Sequence, residues 1–279
     1  MNIFRTKFFE VQDKIGFFTS QKKCAAIVDK IFYGVLGDLS CDAIKNFKII
    51  LTVCADKSEY QNNKIYVSPY TKNTSNDNFK MLLKHESIHF ITKKTWGDAP
   101  AIFNEGIAVY FADNRIRQKQ TSINYHAYCK ILLKNHRLYP LKGLIESHKY
   151  LGRRYDYRVD LEGGSFIGFL IEKYGLGKLK LFFQNYQKPT PDKPVNQINK
   201  LCEKIYGKTL FAIEMDWVNF LKISVPYIKK GEIICSKSRK FYKIIPIKHG
   251  YCKFCNTPMD GELLCPSCNA DNSVEIKTK

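Results

Sequence analysis

The stretch LLKHESIHFIT, Leu82 to Thr92, sets two histidines four residues apart with a glutamate directly after the first. This segment constrains the rest of the chain more than any other, because whatever folds around it must provide for two imidazoles and a carboxylate interleaved with Leu82, Leu83, Ile88, Phe90 and Ile91. The apolar spacing predicts a helix from about Phe79 to Lys94, with Asn76, Asp77 and Asn78 as capping residues. At 100° per residue, Lys80, Lys84, Ser87 and Lys94 share a polar stripe. His85 and His89 fall opposite that stripe, and Glu86 sits at the edge of their sector. Inward-facing imidazoles and a carboxylate need partners, because desolvation without them is costly. Histidines at i and i+4 stand ~6 Å apart on one face, so both can reach one zinc ion. Glu86 then lies beside the metal without ligating it, placed to take a proton from water. The bland alternative is two core histidines satisfied by backbone carbonyls.

A zinc site that works on a substrate needs a third protein ligand and one open position. The segment PAIFNEGIAVYFAD predicts a helix over Ala101–Asp113, on which Glu105 shares a stripe with Ile102, Val109 and Ala112. A carboxylate on an apolar stripe is anomalous unless it is paired or bound to metal, which makes Glu105 the preferred third ligand. Asp113 and Glu162 compete for that place. His126, His136 and His148 read as ordinary core or surface residues, and Asp113 or Asp98 could orient a ligating histidine from behind.

Around these motifs the chain predicts an α+β fold. A helix spans Gln21–Leu36, and strands span Phe47–Ala55 and Lys64–Tyr70. Further helices cover Asn124–Asn135, Gly163–Gly175, Val195–Ile205 and Thr209–Leu221, with a loop at Lys188–Pro194. Residues 1–228 form the main domain, 229–249 a basic linker with strands, and 250–279 a small module. That module carries Cys252-x2-Cys255 and Cys265-x2-Cys268. Two such knuckles supply four thiolates for a closed tetrahedral site, so this zinc is structural. About 30 residues bury too little core to fold alone, so metal binding should drive their folding.

Lys and Arg number 45 against 26 Asp and Glu, a net charge of +19. The lysines are spread along the chain, so the plain reading is a solvated basic surface. Lys237, Arg239, Lys240, Lys243 and Lys248, with Phe241 and Tyr242, keep nucleic-acid binding open beside protein docking. Arg5, Lys7, Glu10 and Asp13 interrupt the apolar N-terminal run, so no export signal is expected there. No stretch reaches the ~18 apolar residues of a membrane helix. The six cysteines outside the knuckles follow no framework spacing, and the expectation is reduced thiols in the cytoplasm.

HESIH followed by FNEGIAVYF resembles the gluzincin metallopeptidases, whose second motif has its counterpart in Asn104, Glu105, Gly106 and Ala108. The rest looks closer to the small bacterial peptidase MA-like members. In those, a helix and two strands precede the histidine motif, and later segments resemble GGSFIGFLIEKYG and Tyr206–Leu221. The resemblance covers roughly residues 10–222. It implies a thermolysin-like core with a catalytic zinc on His85, His89 and Glu105, with Glu86 as general base for peptide hydrolysis. Relatives carry a tyrosine just before the GSF segment as oxyanion donor. Here Asp160 stands at that spacing, so Tyr157 is favoured over Tyr155 for the role. The rival reading is an inactive peptidase-like scaffold acting through its zinc ribbon and basic surface.

Overall fold

The computed structural model describes residues 1–41, 49–55, 58–61, 64–68, 76–112, 125–134, 137–146, 157–187, 194–223, 233–234, 241–244 and 274–275. Its architecture is mixed α and β, a small sheet followed by a mostly helical half. The first two strands come from the charged N-terminus, for which the sequence reading gave no strands: β1 is Asn2–Arg5 and β2 is Phe9–Asp13. On β2, Phe9, Val11 and Asp13 are buried while Glu10 and Gln12 are partly exposed, the period-2 pattern of a strand with one face on the core. Asp13 turns the chain after the strand, its carboxylate accepting from the amides of Ile15 and Phe18 at 3.2 and 2.8 Å.

Helix α1, Gln21–Asp38, is started by Ser20, whose side chain accepts from the Lys23 amide. It carries the chain across to β3, Ile49–Val53, which pairs parallel to β2. A short strand β4, Glu59–Gln61, pairs antiparallel with β5, Lys64–Val67. The sheet order is β1-β2-β3-β5-β4, which leaves β4 at one edge. The strands Phe47–Ala55 and Lys64–Tyr70 of the sequence reading are thus present in shortened form, and β4 is an addition.

Helix α2, Asn76–Thr95, starts three residues before the predicted Phe79, so Asn76, Asp77 and Asn78 belong to its first turn. It lies against β4, β5 and α1 on one side and against α3, Ala101–Ala112, on the other. Leu83, Ile88, Phe90 and Ile91 are fully covered. So is Ser87, which corrects its place in the polar stripe: a helix packed on several sides leaves room for a narrower exposed face of lysines. Lys84 pairs with Asp38 at 2.7 Å and ties α2 to the end of α1.

The helical half comprises α4 (Tyr125–Lys134), α5 (Leu141–Glu146), α6 (Tyr157–Tyr174), α7 (Leu176–Asn185), α8 (Pro194–Tyr206) and α9 (Leu210–Ile223). Helix α6 starts six residues earlier than the predicted Gly163. Gly175, the expected helix stop, has φ +83° and lets the chain turn directly into α7. Helices α5 and α7 were not anticipated. Among the described C-terminal residues, β7 (Phe241–Ile244) pairs with β6 (Ile233–Ile234) and β8 (Val274–Glu275). The four knuckle cysteines, Asp113, His136, His148 and Tyr155 lie outside the described residues. No helix of the described residues is long and apolar enough to cross a membrane.

Helices α3 and α6 touch backbone to backbone. A Cβ added to Gly106 would stand 2.6 Å from the Gly163 carbonyl oxygen, and one added to Gly163 would stand 2.8 Å from that of Ile102. A Cβ added to Gly164 would stand 2.7 Å from Val109 Cγ1, a side-chain atom. Around this seam Phe103 stacks on Phe182 at 4.2 Å and meets Phe166 edge-on. Gly106→Ala is expected to lower stability by about 1–3 kcal/mol, read as a fall in Tm on thermal melting. Gly34→Ala, where a Cβ meets nothing within 4 Å, should raise stability by about 0.5–1 kcal/mol.

Candidate metal centre

Two helices build the centre. The four-residue spacing on α2 turns both imidazoles toward α3, and their Nε2 atoms lie 3.0 Å apart. From α3, one Glu105 carboxylate oxygen stands 3.4 Å from each of those nitrogens. Asn104 fixes the start of α3: its amide donates to Asp98 Oδ1 at 3.1 Å and to the Ala99 carbonyl at 2.6 Å. Asp98, proposed from sequence as a partner of a ligating histidine, is thus an acceptor for the first turn of α3.

Three lone-pair atoms so close are held together either by shared protons, as hydrogen bonds, or by a cation between them. Ligands held at ~2.0–2.1 Å in a tetrahedron lie about 3.3–3.4 Å from each other. The separations of 3.0, 3.4 and 3.4 Å match that size. His85, His89 and Glu105 form the group among the described residues that can hold a metal ion. Their side chains keep 17, 15 and 25% of their surface exposed, so the centre faces solvent on one side.

The two carboxylates in this centre differ in character. Glu86 is 5% exposed, and burial pushes its carboxyl above the usual range, with Glu105 adding to the rise. The charges of His85 and His89 and a hydrogen bond from the Tyr60 backbone amide oppose that rise without cancelling it. Burial acts on Glu105 in the same direction, but hydrogen bonds and charge from His89 and His85 hold its carboxyl well below the usual range. His89 is raised in turn: burial opposes protonation, and the Glu105 carboxylate outweighs it. Asp160, buried in the first turn of α6, contributes more weakly to the same field at His89.

The other candidates fall elsewhere. Glu162 is fully buried and accepts from the Tyr139 amide at 3.1 Å, away from the ligand group. His126 is a partly buried packing residue: its Nδ1 meets the Ser165 hydroxyl at 2.9 Å, the Trp217 indole donates to that hydroxyl at 3.1 Å, and its Nε2 lies 3.7 Å from Glu172. This network joins α4, α6 and α9, and burial brings the His126 imidazole down to about 4. Tyr157 begins α6, and its side chain lies outside the described residues. The Tyr60 amide and Asp160 were missed as neighbours of the site. A backbone amide has no sequence signature, and Asp160 stood out only as a departure from a tyrosine.

Comparison with known protein families and with curated proteins finds no family model and no protein that matches this chain, so geometry carries the functional reading. The first expectation concerns metal uptake. His85→Ala should abolish high-affinity metal binding at this centre, as read by calorimetry on chelator-stripped protein. Protons compete for His89, whose affinity for them is raised, so metal affinity should fall steadily from about pH 8 to about pH 5, with protons released on binding.

Proposed function

We propose that this protein is a zinc-dependent peptidase of the gluzincin type, with a thermolysin-like core. One observation carries the reading. Two imidazole nitrogens and a carboxylate oxygen from neighbouring helices converge at tetrahedral spacing, and a buried carboxylate of raised proton affinity stands beside them without joining the group. His85, His89 and Glu105 would hold the ion. A zinc ion held there supplies Lewis acidity, which polarises a carbonyl and acidifies water.

The chain's own groups do the rest. Glu86 is the general base: its raised pKa moves it toward the pH at which proton transfer in both directions is efficient. It takes a proton from the attacking water and returns it to the amine that leaves. Glu105, held ionised by its two histidines, stays a ligand across that range. This division of labour follows from environment, since both residues begin as the same side chain. Tyr157 remains the proposed oxyanion donor, from a helix that starts beside the buried Asp160.

We assign a second, structural zinc to Cys252, Cys255, Cys265 and Cys268, in a ribbon that offers a protein or nucleic-acid partner a contact surface. A cytoplasmic setting suits the reduced thiols. Cys24 and Cys202, pushed up to about 12 by burial, stay protonated and inert.

The decisive experiment is digestion of a peptide library with and without chelator, with cut sites mapped by mass spectrometry. Glu86→Gln should lower turnover by at least about 100-fold while leaving zinc content unchanged. Full activity in that variant sinks the mechanism. Elemental analysis should find two zincs per wild-type chain, one after His85→Ala and one after Cys252→Ser. Wild-type protein that binds both ions and cuts nothing in the library favours the inactive scaffold.

A further inference from the structure

The edge strand β4 contributes a group to the centre that belongs to neither motif. In an antiparallel ladder, alternate residues turn their amides toward the partner strand. Gln61 faces Lys64 and Glu59 faces Tyr66, with Tyr60 between them. The Tyr60 amide instead serves the Glu86 carboxylate. Its ring lies over α2, edge-on to Phe90 at 5.6 Å, with the Lys93 ammonium 5.8 Å from the ring centroid. Phe90 and Lys93 follow Glu86 by one and two turns of the same helix. Phe90 is itself fully buried and backed by Phe32 of α1 at 6.2 Å, so the ring rests on a fixed surface. The residue therefore grips α2 at two points: the ring holds the strand down, and the amide meets the carboxylate.

We propose that Tyr60 is a positioning residue for Glu86: its ring clamps β4 onto α2, so that its backbone amide fixes the carboxylate in the orientation needed for proton transfer. This rests on the peptidase reading for its catalytic consequence, but the clamp itself does not. A carboxylate with two free torsions beyond Cβ would otherwise sample several orientations in its recess. One directed hydrogen bond from a rigid strand selects among them, and misplacement by ~1 Å of a catalytic group can cost about 100-fold in rate.

The test uses the full-length chain. Tyr60→Pro deletes the donor at an edge-strand position whose amide is not needed by the ladder, while Tyr60→Phe keeps both ring and amide. In chelator-stripped protein, the Tm loss caused by Tyr60→Pro should be smaller by about 3 °C in a Glu86→Ala background than in wild type, because the hydrogen bond is then already absent. Equal losses in the two backgrounds overturn the clamp. If Tyr60→Pro does not fold, Tyr60→Ala, which removes the ring's hold on the strand, is compared across the same two backgrounds with the same two outcomes. With zinc restored and fluorescein-labelled casein as probe, Tyr60→Pro should lower kcat by about 10- to 100-fold with KM within about twofold. Tyr60→Phe should recover most of that loss. An unchanged kcat in Tyr60→Pro overturns the positioning role. Wild type that leaves casein intact while the melting comparison shows coupling counts against the peptidase reading and supports the clamp.

Discussion

The burial of α2 is the constraint from which the rest of the structure follows. It packs against the sheet and α1 on one side and α3 on the other, so its polar groups cannot be scattered around its circumference. Ser87 and Thr92 are absorbed into the core, Thr92 by donating to the Ile88 carbonyl at 2.8 Å. His85, Glu86 and His89 cannot be absorbed that way, because an imidazole or carboxylate in an apolar setting needs a strong partner. They are gathered at the seam where α3 brings Glu105; solvent still reaches the two histidines there, while Glu86 is buried. The centre is therefore the place where an otherwise apolar packing problem leaves its charges.

Within that seam, environment divides the work of chemically equivalent groups. Glu86 and Glu105 are both glutamates on buried helices, yet one is pushed toward protonation and the other held ionised. The difference lies in the neighbours. Glu105 has an imidazole nitrogen at 3.4 Å on each of two sides, whereas at Glu86 the charges of His85 and His89 and the Tyr60 amide do not outweigh desolvation. At short range in a low-dielectric setting, such neighbours outweigh burial for one residue and fail to do so for the other.

The helical half contributes through closeness. Gly106 directly follows Glu105, and its missing side chain lets α6 lie against α3. A larger residue there would push the two helices apart and shift the ligand with its helix. The glycine pair at 163 and 164, read in the sequence as part of a later helix, is the matching surface. The same helix brings Asp160 toward His89 and places Ser165 between His126 and Trp217. The seam thus links the ligand group to the packing of α4 and α9.

Residues His85, Glu86, His89 and Glu105 could be picked out before any coordinates, because the spacing of side chains along a helix is a local, periodic property. The long amphipathic helices were legible for the same reason. The charged N-terminal strands, β4, α5 and α7 were not, since short or mixed segments become strands or helices only when a neighbouring surface buries one face. Ser87 was misplaced because a helical wheel counts one buried side and cannot know that two others are covered. What the chain alone determined is the candidate set of metal-binding side chains and the pairing of two of them on α2. Tertiary structure decided that Glu105 closes the set at 3.4 Å, that Glu86 stays outside it, and that a backbone amide from an edge strand meets Glu86. Those outcomes depend on how far apart helices and strands pack, a distance set by contacts between elements separate in sequence, such as Gly106 against Gly163 and Phe90 against Tyr60.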